Sequence, residues 1–318
     1  MKVLFCGKKA ACAVLSAAAV LLLAGLSGCT STPAAPEPLA EVHPLALLSD
    51  DSGIYLHIPV QKHMELTSVL LCNQVENLSE ANAKRIAQYV EHLYIGVGSQ
   101  TDGSRLEAAA SGTVPQVGLR SVFTEKNGWT QQKYDAKSSE AALARQYPRS
   151  FTYYTHKEEA VQLSFLSDTV LCFAQNIFPL LEQYAVRPEL PVTDCSKWLQ
   201  QKGDDIVFYV TQPGTFFESF SGMAIQIPGC DRLYGKMHQL PAQGGINGRS
   251  STYELSFMLH VTDKRTLPGF KSLLSLSLGK MGAKISQADD STLEVSGISV
   301  TQEQIELMFL GASRASRK

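Results

Sequence analysis

Two stretches of this chain read as the same alternating strand, and each opens the same order of elements. Residues 53–60 (GIYLHIPV) put Ile54, Leu56 and Ile58 on one face and Tyr55 and His57 on the other, the period of a half-buried strand. Pro59 ends that strand or places it at an edge. Residues 205–210 (DIVFYV) match 53–58 in type, and Pro213 falls near where Pro59 did. Asp231-Arg232-Leu233-Tyr234 answers Glu91-His92-Leu93-Tyr94, and residues 250–261 answer 105–114. Residues 267–274 (LPGFKSLL) open a helix as 115–119 (PQVGL) do. The order of elements, more than residue identity, carries the match. It predicts an α+β protein of two similar halves, each an antiparallel sheet with helices packed on one face.

The segments between fill out this plan. Ser79 stands as an N-cap before a helix over 79–89, with Ala83, Ile86, Ala87 and Val90 at helical spacing. Strands are predicted over 92–99 and 106–114, joined through Thr101-Asp102-Gly103-Ser104. A short helix over 115–126 and a strand over 129–134 come next. Strands over 151–156, 161–166 and 169–174 and a helix over 178–185 close the first half, 50–186. Arg187-Pro188-Glu189-Leu190-Pro191 reads as a linker, 187–202. The second half, 203–311, ends in strands over 283–287 and 292–295 and a helix over 301–310, before a basic tail, 312–318.

The N-terminal end has a different character. Lys2, Lys8 and Lys9 precede an apolar run over about residues 10–26, which ends in small residues and a cysteine. That is the layout of a secretory signal peptide, 1–28. The run is shorter than the roughly 20 apolar residues a spanning helix needs. Leu26-Ser27-Gly28-Cys29 resembles the lipobox of bacterial lipoproteins. The resemblance implies cleavage between Gly28 and Cys29 and a diacylglycerol on the Cys29 sulfur. Each buried acyl CH₂ contributes about 0.8 kcal/mol, so two or three chains hold a protein firmly. Residues 29–49 then read as a tether, with Pro33, Pro36 and Pro38 keeping it extended. Anchor, composition and duplicated body together resemble lipoproteins of spirochaetes.

Without residues 1–28 the chain has 25 basic and 30 acidic residues, a net charge of −5, and shows no basic footprint for nucleic acid. Four cysteines come after Cys29. Cys72 and Cys172 sit in apolar runs and read as core positions. Cys195 and Cys230 lie in loop-like sequence and are the better candidates for a disulfide outside the cytoplasm. No cysteine or histidine set has zinc spacing.

No sequence motif of a hydrolase, nucleotide-binding or dinucleotide-binding site is present. Gly96-Val97-Gly98 lies inside a predicted hairpin and lacks the third glycine of a cofactor turn. Of seven histidines, His57, His63 and His92 can converge with Asp50 or Asp51 on a metal, but the spacing favours strand-exposed side chains. Asp204-Asp205 and Asp289-Asp290 read as turn-forming acids. Leu267, Phe270, Leu274, Leu278 and Met281 form a helical stripe, widened by Leu273 and Leu276 and flanked by Lys264, Arg265, Lys271 and Lys280. Phe216, Phe217, Phe220 and Met223 crowd a second segment. Either can face a sheet, a bilayer interface or a lipid groove. The expectation is therefore a lipid-anchored envelope protein without catalytic residues, cofactor or metal. Its partners would be the membrane and a protein or lipid of the envelope; a carrier of a lipid or small hydrophobic ligand is the alternative.

Overall fold

The computed structural model describes residues 41–74, 78–100, 103–137, 150–157, 161–186, 189–201, 203–213, 229–241 and 251–306. Contacts divide the chain into Met1–Glu41 and a second unit, Val42–Lys318. The strands of the second unit are β1 (Ile54–Pro59), β2 (Val90–Gln100), β3 (Gly103–Gly112), β4 (Trp129–Asp135), β5 (Ser150–His156), β6 (Gln162–Phe165), β7 (Val170–Ala174), β8 (Ile206–Val210), β9 (Cys230–Gln239), β10 (Thr252–Val261), β11 (Lys284–Gln287) and β12 (Thr292–Thr301). Its helices are α1 (Met64–Gln74), α2 (Glu80–Ala87), α3 (Gln116–Arg120), α4 (Phe178–Val186), α5 (Asp194–Leu199) and α6 (Leu267–Leu278). Residues 302–306 are helical as well.

The twelve strands among the described residues belong to one antiparallel sheet, in the order β11-β12-β10-β9-β8-β1-β2-β3-β7-β6-β5-β4. The expectation of a separate sheet for each half is corrected here. β1 and β8 pair directly, with Tyr55 opposite Tyr209 and Leu56 opposite Phe208, so the sheet runs unbroken across the middle. The register is symmetric about the Leu56–Phe208 pair. His57 faces Tyr94 in β2 on one side, and Tyr209 faces Tyr234 in β9 on the other.

Helices lie on both faces rather than one. Alternation along each strand sends successive side chains to opposite faces. Leu56, Leu93, Ala108, Phe208, Leu233, Leu255 and Val295 point to one face, where α1, α2, α3 and α6 add Leu66, Ile86, Leu119 and Leu274. Tyr55, Tyr94, Ala109, Cys172, Val207 and Tyr209 point to the other, where α4 and α5 add Leu180, Leu181 and Leu199. The second cluster takes nothing from β10, β11 or β12. Accordingly β10 alternates between buried Tyr253, Leu255, Phe257, Leu259 and Val261 and half-buried Thr252, Glu254, Ser256, Met258 and His260.

Two stretches read as connections are packed structure. Pro44–Leu47 form a 3₁₀ helix with Leu45 and Leu47 buried, so the packed unit begins at Val42, ahead of residue 50 where sequence placed it. Within 187–202, α5 opens on a capping box between Thr193 and Ser196. Its Trp198 packs against the second cluster and donates from Nε1 to the Gly235 carbonyl at 3.3 Å.

Candidate functional site

Gly28 and Cys29 lie outside the described residues, as do Phe216, Phe217, Phe220 and Met223. What the structure shows is how the chain enters the body. His43 caps the 3₁₀ helix, its Nδ1 accepting from the Leu45 amide at 3.2 Å. Ser49 then donates from its amide (3.0 Å) and hydroxyl (2.9 Å) to the Glu107 carboxylate on β3, which has no exposed surface. Arg105 Nε lies 3.3 Å from Glu107 without hydrogen-bond alignment, and the same guanidinium pairs with Asp51. That hydrogen bond holds the Asp51 carboxyl below its usual range. The Tyr55 hydroxyl donates to the Ser49 carbonyl at 2.7 Å. Gly96, in the Gly-x-Gly stretch, serves this crossing: a Cβ there would stand 2.9 Å from Ser52 Oγ.

His43 and His57 pack on Tyr94, and His57 also meets His92, so that of His57, His63 and His92 only His57 and His92 come together. His57 stacks on the Tyr94 ring at 4.5 Å, and His43 meets it edge-on at 5.2 Å. His57 Nε2 lies 3.0 Å from His92 Nδ1. His57 is buried, which corrects the strand-exposed reading, and its Nδ1 has no partner. A buried N–H without an acceptor costs more than a bare ring nitrogen, so we assign the proton to Nε2, donated to His92. Burial, with His92 and His43 nearby, lowers the His57 pKa to about 3. His63 is also buried and bonds through Nε2 to the Asp204 carbonyl at 2.6 Å. Asp50 and Asp51 are not brought to these rings, and among the described residues no group of three or more His, Cys, Asp or Glu can hold a metal.

Cys195 and Cys230 are free thiols, so the disulfide expected from sequence is not formed in the structure. The reason is topological: Cys195 packs against the cluster on one face and Cys230 against the cluster on the other. Burial pushes each thiol up to about 12. Cys172 is fully buried and Cys72 half-buried. Of the acid pairs, Asp289 accepts from the Ser291 amide at 2.8 Å as a turn residue. Asp204 pairs with Lys62, while Asp205 pairs with Lys236 and His238.

The α6 stripe faces the sheet. Leu267, Phe270, Leu274 and Leu278 are buried, whereas Leu276 is 78% exposed, Leu273 39% and Met281 38%. Among the described residues no helix is long and apolar enough to cross a membrane.

A cleft of about 460 Å³ opens where α2, the α3–β4 turn and the end of β5 meet, lined by Asn82, Lys126, Asn127, His156 and Lys157. Leu78 and Trp129 line it too, and both also line an apolar cavity of about 40 Å³ between α1, α2 and the sheet. Sequence named Trp129 and His156 only as strand residues. Their convergence depends on β4–β5 pairing, which sets Trp129 opposite His156.

The family model for the outer membrane-associated lipoprotein TP0453 matches residues 39–306. Three crystal forms of TP0453, a spirochaete lipoprotein, share the fold at 17% sequence identity. Form I gives a TM-score of 0.62 over 86% of this chain and 98% of that one. Form III gives 0.59 over 86% and 100%, and form IV 0.55 over 84% and 96%. No curated protein matches. The chain belongs to the family of outer membrane-associated lipoproteins typified by TP0453.

Proposed function

We propose that this protein is a non-catalytic binding module of the bacterial envelope, held to a membrane through acyl chains on Cys29. The observation that carries the reading is a lipobox placed directly ahead of a body of the outer membrane-associated lipoprotein family. The described side chains add support. The His–Asp contacts tie strands together, His238 to Asp205 and His260 to Asp231, and the buried thiols are held protonated. The register about Leu56 and Phe208 favours a duplicated unit, with His57 and Tyr209 in corresponding places and Tyr94 and Tyr234 likewise.

Metabolic labelling with palmitate, comparing the natural chain with Cys29→Ala, tests the anchor. Label in the natural chain and none in the variant is expected; equal labelling refutes it. The alternative, a carrier of a small hydrophobic ligand, is favoured by one observation: the apolar cavity shares Leu78 and Trp129 with the lining of an open cleft. At about 40 Å³ the cavity suits a short apolar group rather than a long acyl chain.

A further inference from the structure

We propose that the cleft beside Trp129 and His156 binds a small anionic amphiphile, its head between Lys126 and Lys157 and its apolar end against Leu78 and Trp129. The inference rests on reading the protein as a binding module and names the ligand class. At about 460 Å³ the cleft falls within the range of small-molecule sites.

Its floor is fixed by the backbone. Gly128 has φ +84°, and a Cβ there would stand 2.6 Å from His156 Nε2. Only glycine allows both that turn and the imidazole beside it. The Lys157 amide donates to the Gly128 carbonyl at 3.0 Å, which joins the end of β5 to the α3–β4 turn and sets the backbones of the two lysines on linked elements. Asn127 Nδ2 donates to the Val122 carbonyl at 2.7 Å, bracing the turn. Among the described lining residues, Lys126 and Lys157 stand against one acid, Glu125.

The apolar end is indicated from the other side. Beyond Leu78 and Trp129, the cavity is lined by hydrophobic side chains and Thr67. Thr67 is 2% exposed and its Oγ1 has no partner. A buried water needs about two to four polar partners, and this cavity presents no polar surface. An apolar group is the better occupant. At about 40 Å³ the cavity takes no more than the apolar tip of a ligand, and the rest lies in the cleft. Medium-chain carboxylates and alkyl phosphates fit that description.

The chain has two tryptophans, and Trp198 packs with the cluster on the opposite face. In the full chain carrying Cys29→Ala and Trp198→Phe, emission therefore reports Trp129 alone. Octanoate and octyl phosphate are titrated in parallel, with octanol as the uncharged probe. A saturable change in emission is expected below about 1 mM, and whichever acid binds more tightly identifies the head as carboxylate or phosphate. Lys126→Glu with Lys157→Glu is expected to weaken binding about tenfold or more, and octanol to bind about tenfold more weakly. The proposal is overturned by no saturable change with either acid, by equal affinity in the charge-reversed variant, or by octanol binding as well as the acids. Calorimetric titration of the chain that retains Trp198 gives the same reading should Trp198→Phe fail to fold. Palmitate labelling is independent of these titrations, so failure here is distinct from failure of the anchor.

Discussion

Acidification should destabilise this protein through His57 in particular. The side chain is 4% exposed, and its pKa falls from an ordinary 6.5 to about 3 in the fold. The unfolded chain takes up the proton near pH 6.5, while the folded chain refuses it until about pH 3. Folding stability is therefore complete above pH 6.5 and is lost progressively as pH falls toward 3. At 1.36 kcal/mol per pH unit, the loss between pH 7 and pH 5 is about 2 kcal/mol from this residue. Urea unfolding of the natural chain and His57→Phe at both pH values measures it. The phenyl ring keeps the stack on Tyr94 and removes the titrating group. His63, whose pKa burial also lowers, contributes to both chains and cancels in the difference. The natural chain should lose about 2 kcal/mol more than the variant on going to pH 5. Equal losses would refute the assignment of His57 as a histidine locked neutral, as would an NMR titration of its ring with a midpoint near 6.

Three further outcomes are expected from the packing. Glu107→Ala removes the acceptor of two Ser49 hydrogen bonds and leaves Arg105 without its buried partner; a loss of about 3 kcal/mol is expected, together with faster proteolysis within residues 42–52, and an unchanged urea midpoint would contradict it. Leu274→Ala on the sheet side of α6 should cost about 2–5 kcal/mol, whereas exposed Leu276→Ala should stay within about 0.5 kcal/mol; equal effects in chemical denaturation would mean that α6 packs by another face. Alkylation of the denatured, unreduced protein should modify both Cys195 and Cys230, and a mass two hydrogens lower with both cysteines unmodified would show that they pair.

Local structure was legible wherever alternation or a cap was strong. The strand at Ile54–Pro59 follows from its two-residue period, and the helix at Glu80–Ala87 from Ser79, whose hydroxyl accepts from the Asn82 amide. α1 was not legible. Its apolar residues, Leu66, Leu70, Leu71 and Cys72, spread around more than one side, so no clear stripe marks MELTSVLLCNQ as a helix. α5 was hidden by the prolines before it, although Thr193 and Ser196 held the capping signal. The single sheet depends on β1 meeting β8, strands some 150 residues apart. No local pattern encodes such a pairing, because it is settled by which buried faces fit together. The cleft was illegible for the same reason: Asn82, Lys126 and Lys157 come together only when β4, β5 and α2 are in place.

β1 is sixth in a row of twelve strands, and the segment leading into it is fastened by Ser49 to Glu107 before the strand begins. A pull on the N-terminal side of the chain thus enters the sheet at its middle. There β1 is bonded along both flanks, to β2 and β8, and can leave only if both ladders break. An edge strand such as β4 or β11 would instead peel one hydrogen bond at a time.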